Sequence, residues 1–267
     1  MWLFAYNTWL CGLRSRVFHA VSLLGVLLIG IAFLSGYFSP RHPHTVALDV
    51  GFSVLRFSMV LMALYWVQEM FMREIDRRTV IFALTYPVSR SAYVLGRYLG
   101  ILLLLAVAIV IQGLLLWIVV PLAGGGYQQF FMVSLGDAYW ATIFGVWLDA
   151  AVIAAFAMWV AALATTSILP LALGAAFAIA GKALGPVQEY LAGGADGDQA
   201  LAANYGFIVD LIRWVLPDLS RLDWRVWPMY GQPLAEGFML WGGIMALCYA
   251  TLMMSMAVVA FARRDFS

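Results

Sequence analysis

The sequence predicts an all-α integral membrane protein with six transmembrane helices. Three observations carry that prediction. Of the 267 residues, 64% are hydrophobic and only 11% are charged, with a mean hydropathy of +0.92, whereas soluble domains carry about 25% charged residues. Apolar runs recur at lengths that meet the roughly 17–25 residues needed to cross the hydrocarbon core. The arginines gather in alternate connections between those runs, as the positive-inside rule requires of a multi-pass chain. A net charge of +1 gives no footing for a nucleic-acid partner.

The whole of 1–267 reads as a single membrane domain. Residues 1–16 are apolar and aromatic and end in Arg14-Ser15-Arg16. A signal peptide places its basic residues first, so this order predicts a helix lying in the membrane interface; a packed or unstructured N-terminus is the alternative. Spans follow at 17–37, 48–68, 98–121, 138–164, 168–185 and 237–262. The fourth is long enough to require tilt or bend. In the first connection His42 and His44 lack a third ligand, so a polar turn is favoured over a metal site. Gly124, Gly125 and Gly126 read as a loop; with no lysine after them and no strand before, they make no phosphate cradle. The connection 186–236 is predicted to face outward. It opens with a Gly- and Asp-rich turn at 193–198, too poor in oxygen ligands for Ca²⁺. A helix over 205–216 then sets Ile208, Leu211, Ile212 and Val215 on one face, as a lid over the membrane domain, and Pro217 ends it. Trp214, Trp224, Trp227 and Tyr230 suit the headgroup belt.

The stretch 69–97, EMFMREIDRRTVIFALTYPVSRSAYVLGR, is the only long charged interruption in the first half of the chain. The second span must leave the hydrocarbon where these charges begin. The pattern stays helical, with Phe71, Met72, Ile75 and Phe82 on an apolar face and Arg73, Glu74, Asp76, Arg77 and Arg78 supplying a polar one. Pro87 stops it, and Ser89 or Ser91 is placed to cap the next helix. On physics alone this is an amphipathic interfacial helix between two spans.

The ordered pattern Glu74, Arg78-Thr79, Leu84, Pro87-Val88-Ser89-Arg90, Gly96-Arg97 resembles the signature between the second and third spans of type-2 ABC exporter permeases. Within that family it is most like the NosY-like permeases, which serve copper-enzyme maturation. Arg78 stands where the family most often has glycine, and Arg97 where it has lysine. Span count and length extend the resemblance over nearly the whole chain. It implies that 69–90 is a cytoplasmic coupling region. Arg73, Glu74, Asp76, Arg77, Arg78 and Thr79 would contact a groove of a separate ABC ATPase. It further implies two ATPase subunits and a second copy of the permease forming a homodimer, ATP and Mg²⁺ bound on the ATPase and no cofactor in this chain, and a bacterial inner membrane setting. Export, or mechanical work on the membrane or a periplasmic partner, is the implied activity.

With the N-terminus inside, the inner segments hold Arg14, Arg16, Arg73, Arg77, Arg78, Arg90, Arg97, Arg263 and Arg264, against Arg41, Arg213, Arg221 and Arg225 outside. Both termini and the 69–97 stretch are therefore expected in the cytoplasm.

No catalytic or metal motif is encoded. Gly181-Lys182 lacks the preceding glycine and following Ser or Thr of a P-loop. Cys11 and Cys248 sit alone in apolar stretches and read as packing residues. Three ionisable residues fall within spans. Lys182, the single lysine, is near the outer end of its span and is expected to snorkel to the surface. Arg56 and Asp149 lie deeper, on parallel spans and at similar depth, so they are placed to meet, either as a structural ion pair or as a transport-pathway pair. Gly96-x-x-x-Gly100 and Gly181-x-x-x-Gly185 permit close helix approach.

The reading is a non-catalytic permease subunit of an ABC transporter. A secondary transporter or channel using Arg56 and Asp149, or a structural membrane anchor, are the rival classes. No internal repeat supports the transporter.

Overall fold

The computed structural model describes residues 2–76, 89–123, 133–192, 211 and 216–264. Among them are six helices long and apolar enough to cross a membrane and no strand.

The N-terminal stretch forms α1 (Trp2–Leu13), which lies along α5 (Arg90–Leu122) rather than leading straight into a span. The two approach closely because Gly100 offers no side chain: a β-carbon there would stand 2.9 Å from the Ala5 carbonyl oxygen and overlap Thr8. Ser15 breaks the chain and starts α2 (Arg16–Tyr37), its Oγ accepting from the Phe18 amide at 3.1 Å. α2 is the outlying span, with Leu23, Leu27, Ile31 and Leu34 exposed on the bundle's surface, where hydrocarbon would cover them.

Pro43 occupies the first turn of α3 (Pro43–Val67), where its missing N–H costs nothing. The helix does not end where the charges begin. It passes through a π-helical turn at Gln68–Met72 into α4 (Arg73–Asp76), giving one apolar helical run from Pro43 to Ile75. This moves a predicted boundary, because 69–76 continues the helix of the second span and does not begin a separate one. The reason is packing: Met70, Phe71, Met72 and Ile75 are buried inside the bundle. Phe71 stacks on Tyr93 and meets Phe261, which in turn stacks on Tyr93 with ring centroids 5.5 Å apart. The extra residue of a π-turn lets one helix serve both the span and this aromatic cluster.

Of the two candidate capping residues it is Ser89 that accepts from the Ala92 amide, at 3.2 Å, and starts α5. At 33 residues and 1.5 Å per residue, α5 is about 50 Å long, well over the roughly 30 Å hydrocarbon core. α6 (Asp137–Leu163) is the central span, with alanines at positions 150, 151, 154, 155, 157, 161 and 162 all buried. Such small residues let α3, α5, α7 and α9 crowd around it. α7 (Leu169–Ala192) runs through Pro186, where the sequence reading ended the fifth span, and continues two turns beyond the predicted Gly185 limit.

The far connection is described from Leu216 onward. A 3-10 turn at Leu219–Leu222 is followed by α8 (Val226–Tyr230), which closes on Gly231 at φ 66°, a left-handed position suited to glycine. α9 (Phe238–Ala262) returns along α6. Its end is tied in by arginines: Arg264 Nη2 donates to the Ala164 carbonyl at 2.9 Å and Nη1 to those of Ala161 and Ala162 at 3.2 and 3.1 Å, satisfying the C-terminal carbonyls of α6. Arg90 Nη1 donates to the Ala262 carbonyl at 2.9 Å. With Phe4 of α1 edge-on to the Tyr93 ring, these contacts place α1, the start of α5 and the ends of α3, α6 and α9 at one end of the bundle. That side is the near end below, and the opposite one the far end.

Cys11 and Cys248 are exposed on the bundle's surface. The sequence reading made them packing residues, but neither is buried, and Cys11 Sγ donates to Asn7 Oδ1 at 3.6 Å. The Gly124–Gly126 loop, the 193–198 turn and the proposed lid helix, apart from Leu211 and Leu216, lie outside the described residues.

Candidate functional site: polar clusters at the two ends of the bundle

At the near end a polar knot ties α4 to α1 and α5. Glu74 forms an ion pair with Arg97 Nη2 and accepts from the Tyr93 hydroxyl at 2.5 Å. Arg97 Nη1 donates to Thr8 Oγ1 at 2.8 Å, and its guanidinium lies 5.4 Å from the centre of the Tyr93 ring. Arg97 is almost wholly buried, so α5 carries a cation inside the bundle that is neutralised from α4 and hydrogen-bonded from α1. Periodicity assigns Glu74 to the polar face of its helix, and its carboxylate is turned to the chain's own arginine. Arg73 is the more exposed neighbour, paired with Glu69 one turn back. The backbone of Asp76 closes α4, while Arg77, Arg78 and Thr79 lie outside the described residues, as do Leu84, Pro87 and Val88.

The second cluster lies in the far half. Arg56, one of the two charges the sequence set deep in the membrane, has its Nε 3.7 Å from Asp149 Oδ2, so the structure brings that pair within ion-pair reach. Arg56 makes its shorter contact elsewhere, donating from Nη1 to Asp223 Oδ2 at 2.6 Å. Lys182, expected to snorkel outward, instead points back to Asp149, Nζ to Oδ2 at 3.0 Å. The reason is that a fully buried carboxylate lies within its reach. Asp223 is shared: Arg225 Nε donates to its Oδ1 at 2.9 Å, and Arg225 Nη1 donates onward to Asp49 Oδ1 at 3.0 Å and Ser53 Oγ at 3.1 Å. Three carboxylates (Asp49, Asp149, Asp223) thus alternate with three bases (Arg56, Lys182, Arg225), a neutral chain of charges of the kind a low-dielectric interior tolerates.

Asp223 and Arg225 lie outside the spans. Burial pushes the Asp223 carboxyl up, but the Arg56 charge and the contacts from Arg225 outweigh it, and the group is held below the usual carboxylate range. Burial works against the Arg225 cation too, and the Asp223 and Asp49 carboxylates reverse that, raising it above the ordinary arginine value.

The far connection enters the bundle to reach these partners. Leu219, Leu222 and Trp224 are buried, and the glycines on the spans mark where they seat. A β-carbon at Gly145 would lie 2.7 Å from the Leu222 carbonyl oxygen, one at Gly181 2.8 Å from Leu219 Cδ1, and one at Gly242 3.1 Å from the Arg221 carbonyl oxygen; at Gly185 it would overlap Ser220. The Gly181-x-x-x-Gly185 spacing therefore receives a loop, not another span. Sequence reasoning missed Asp49, Asp223 and Arg225. The available signal was the charge density of Asp218, Arg221, Asp223 and Arg225 in a stretch flanked by tryptophans and leucines, more than a solvent-facing turn requires. At the same end His44 Nδ1 lies 2.9 Å from the Val120 carbonyl oxygen, joining the start of α3 to the end of α5.

A helical bundle with charge confined to its two ends and to one paired interior chain defines a multi-pass membrane protein. The chain belongs to the ABC-2 family transporter proteins, whose family profile matches residues 19–191. It is similar to two proteins named probable ABC transporter permease protein NosY. One, from Stutzerimonas stutzeri, is 34% identical over 136 residues, which are 49% of this chain and 46% of that protein. The other, from Pseudomonas aeruginosa, is 36% identical over 119 residues, 42% of each chain. The match spans less than half the length of these relatives.

Proposed function

We propose that this chain is the membrane subunit through which a separate cytoplasmic ABC ATPase does work, in export or in mechanical transmission across a bacterial inner membrane. The observation that carries this reading is the Glu74–Arg97–Thr8 knot. A helix extension meant only to sit in the interface would gain little from being fastened through a buried cation, whereas one that receives force must be rigidly joined to the spans it moves. Arg73, Glu74, Asp76, Arg77, Arg78 and Thr79 form the contact region for the ATPase in this reading. Because Glu74 is committed to Arg97, it serves to anchor the region and the neighbouring arginines serve to dock. The arginine asymmetry puts the near end and both termini in the cytoplasm. Two copies of the chain pair with two ATPase subunits, which hold the ATP and Mg²⁺; this chain has a non-catalytic role.

The reading of Arg56 and Asp149 as an ion path has less support, since each is held by a further charged partner. The test is affinity purification of the tagged chain from its native membranes, followed by an ATPase assay on the material retained. An ABC ATPase that co-purifies and hydrolyses ATP supports the proposal. A chain that purifies without one, from membranes in which it is intact and monodisperse, overturns it.

A further inference from the structure

We propose that residues 217–230 are a separable plug in the far end of the bundle, and that Arg56 is its latch. Three observations converge on this stretch. It enters between the spans and does not lie over them: Leu219, Leu222 and Trp224 are buried, and three spans present glycines to its backbone and side chains. Shape alone would make it permanent packing. Its charged attachments, however, are all of one kind. The Asp223 carboxylate is held by Arg56 from α3, and Arg225 reaches Asp49 and Ser53 on the same helix.

The distribution of charge is what makes the plug separable. Asp223 and Arg225 bond to each other, so the plug is neutral taken alone. Asp49, Arg56, Asp149 and Lys182 on the spans are also neutral taken together. Withdrawal parts the Arg56–Asp223 and Arg225–Asp49 contacts but leaves equal numbers of acids and bases on each side, so a charge that loses its partner has an opposite charge on its own part to turn to.

Arg56 also has somewhere to go. Its Nε and Asp149 Oδ1 are buried with no hydrogen-bond partner among the described residues, and the two side chains already stand 3.7 Å apart at their nearest ion-pair atoms. One torsional adjustment would trade the Asp223 contact for a two-pronged one on Asp149, the geometry arginine favours. The Arg56 guanidinium thus has two carboxylates between which to choose, one on the plug and one on the spans. The unused Nε and Oδ1 are the bonds the open arrangement would make. The far end therefore carries a built-in two-state element.

The latch is a property of this chain and is tested without nucleotide or partner. In the full chain with Cys11→Ser and Cys248→Ser, a Leu222→Cys reporter is exposed to a water-soluble maleimide in detergent micelles, with Ala154→Cys in the core of α6 as a second reporter. The reporter at 222 should label slowly in the otherwise unaltered protein. Asp223→Asn should speed its labelling by about tenfold or more, the change expected in an opening equilibrium that loses a charge-assisted hydrogen bond, while the reporter at 154 stays unlabelled. Fast labelling at 222 before any change to the charges overturns the plug. An unchanged rate in Asp223→Asn overturns the latch. Labelling at 154 in step with 222 also overturns it, because the cluster would then hold the whole bundle and not a separable part.

Discussion

Asp149 Oδ2 lies 3.0 Å from Lys182 Nζ and 3.7 Å from Arg56 Nε, so the nearer base of the deepest carboxylate is the lysine of α7. Arg56→Gln leaves every acid in contact with a base: Asp223 and Asp49 share Arg225, and Asp149 keeps Lys182. Asp149→Asn leaves Lys182 with no carboxylate in contact among the described residues. The expected order of damage is therefore Asp149→Asn worse than Arg56→Gln, with the former costing about 3–5 kcal/mol, the usual range for a stranded buried charge. Asp149→Asn combined with Lys182→Met should recover part of that loss. Melting temperatures of the purified variants in detergent check the order, and strictly additive losses for the double variant would refute the pairing.

The far-end glycines give a steric test. Gly145→Ala places a methyl against the Leu222 carbonyl oxygen, at 2.7 Å, which is backbone and cannot turn away. Gly243→Ala, on α9, meets nothing within 4 Å. The first should cost about 1–3 kcal/mol by overpacking. The second should be neutral or slightly stabilising through helix propensity. Equal melting temperatures for the two would contradict the seating of the 3-10 turn on α6.

Acid should loosen the same region. The Asp223 carboxyl is held below its ordinary range by Arg56 and Arg225, against a burial effect that alone would raise it. A depressed folded-state value means its stabilising contribution is complete above the unfolded value of about 3.9 and is lost as pH falls through the lower folded value. Thermal stability should thus hold from neutrality down to about pH 4 on account of this group and decline below it. Asp223→Asn should start lower and show a shallower acid decline. A decline of equal slope in both proteins would remove Asp223 from the account.

Much of the architecture was legible because hydrophobic length and arginine placement are properties of single segments. The six spans, a serine cap at Ser89 or Ser91 and the turn to a polar stretch after Gln68 all follow from local pattern. What was not legible depends on a second segment. Glu74 reads as a surface residue from its helix period and becomes an anchor only because Arg97 arrives from α5. Lys182 reads as snorkelling from its depth and turns inward only because α6 supplies Asp149. The helix continues past Gln68 because Phe71 finds Tyr93 and Phe261, residues far along the chain. Pairing across segments leaves no periodic trace in one sequence.

The near-end knot makes a graded prediction. Arg97→Ala removes a buried guanidinium from Glu74, Tyr93 and Thr8 together. Glu74 is partly exposed, so water softens the loss, and about 2–3 kcal/mol is expected. Thr8→Val removes one hydrogen bond to a charged group and should cost about 1–2 kcal/mol. Arg97→Lys keeps the charge but cannot reach Thr8 and Glu74 at once, because a compact ammonium lacks the guanidinium fork, and it should fall between them. If the knot transmits force as well as holding the fold, Arg97→Lys should also lower ATP-coupled activity at temperatures where the protein remains folded. Full activity in a folded Arg97→Lys protein would reduce the knot to a structural brace.

The docking role proposed for the arginines beyond α4 is tested by charge, separately from fold. Two adjacent arginines at 77 and 78 exceed what keeping a helix in water requires, and arginine favours two-pronged contacts with carboxylates. If they only solvate the interface, exchange for other polar residues should change nothing. If they dock in an ATPase groove, Arg77→Glu with Arg78→Glu sets like charges against each other. A reversed contact of that kind costs several kcal/mol, on the order of a hundredfold or more in affinity. The variant should reach the membrane at normal levels and run as a single species, since Glu74, Arg97 and the far-end cluster keep their own side chains. It should nonetheless lose its ATPase on affinity purification, or retain it without coupled hydrolysis. Arg73→Glu should have a weaker effect, because Arg73 already spends its charge on Glu69. Partner retention and hydrolysis at the level of the unaltered chain, in a double-reversed protein that is folded and in the membrane, would show that this segment does not receive the ATPase.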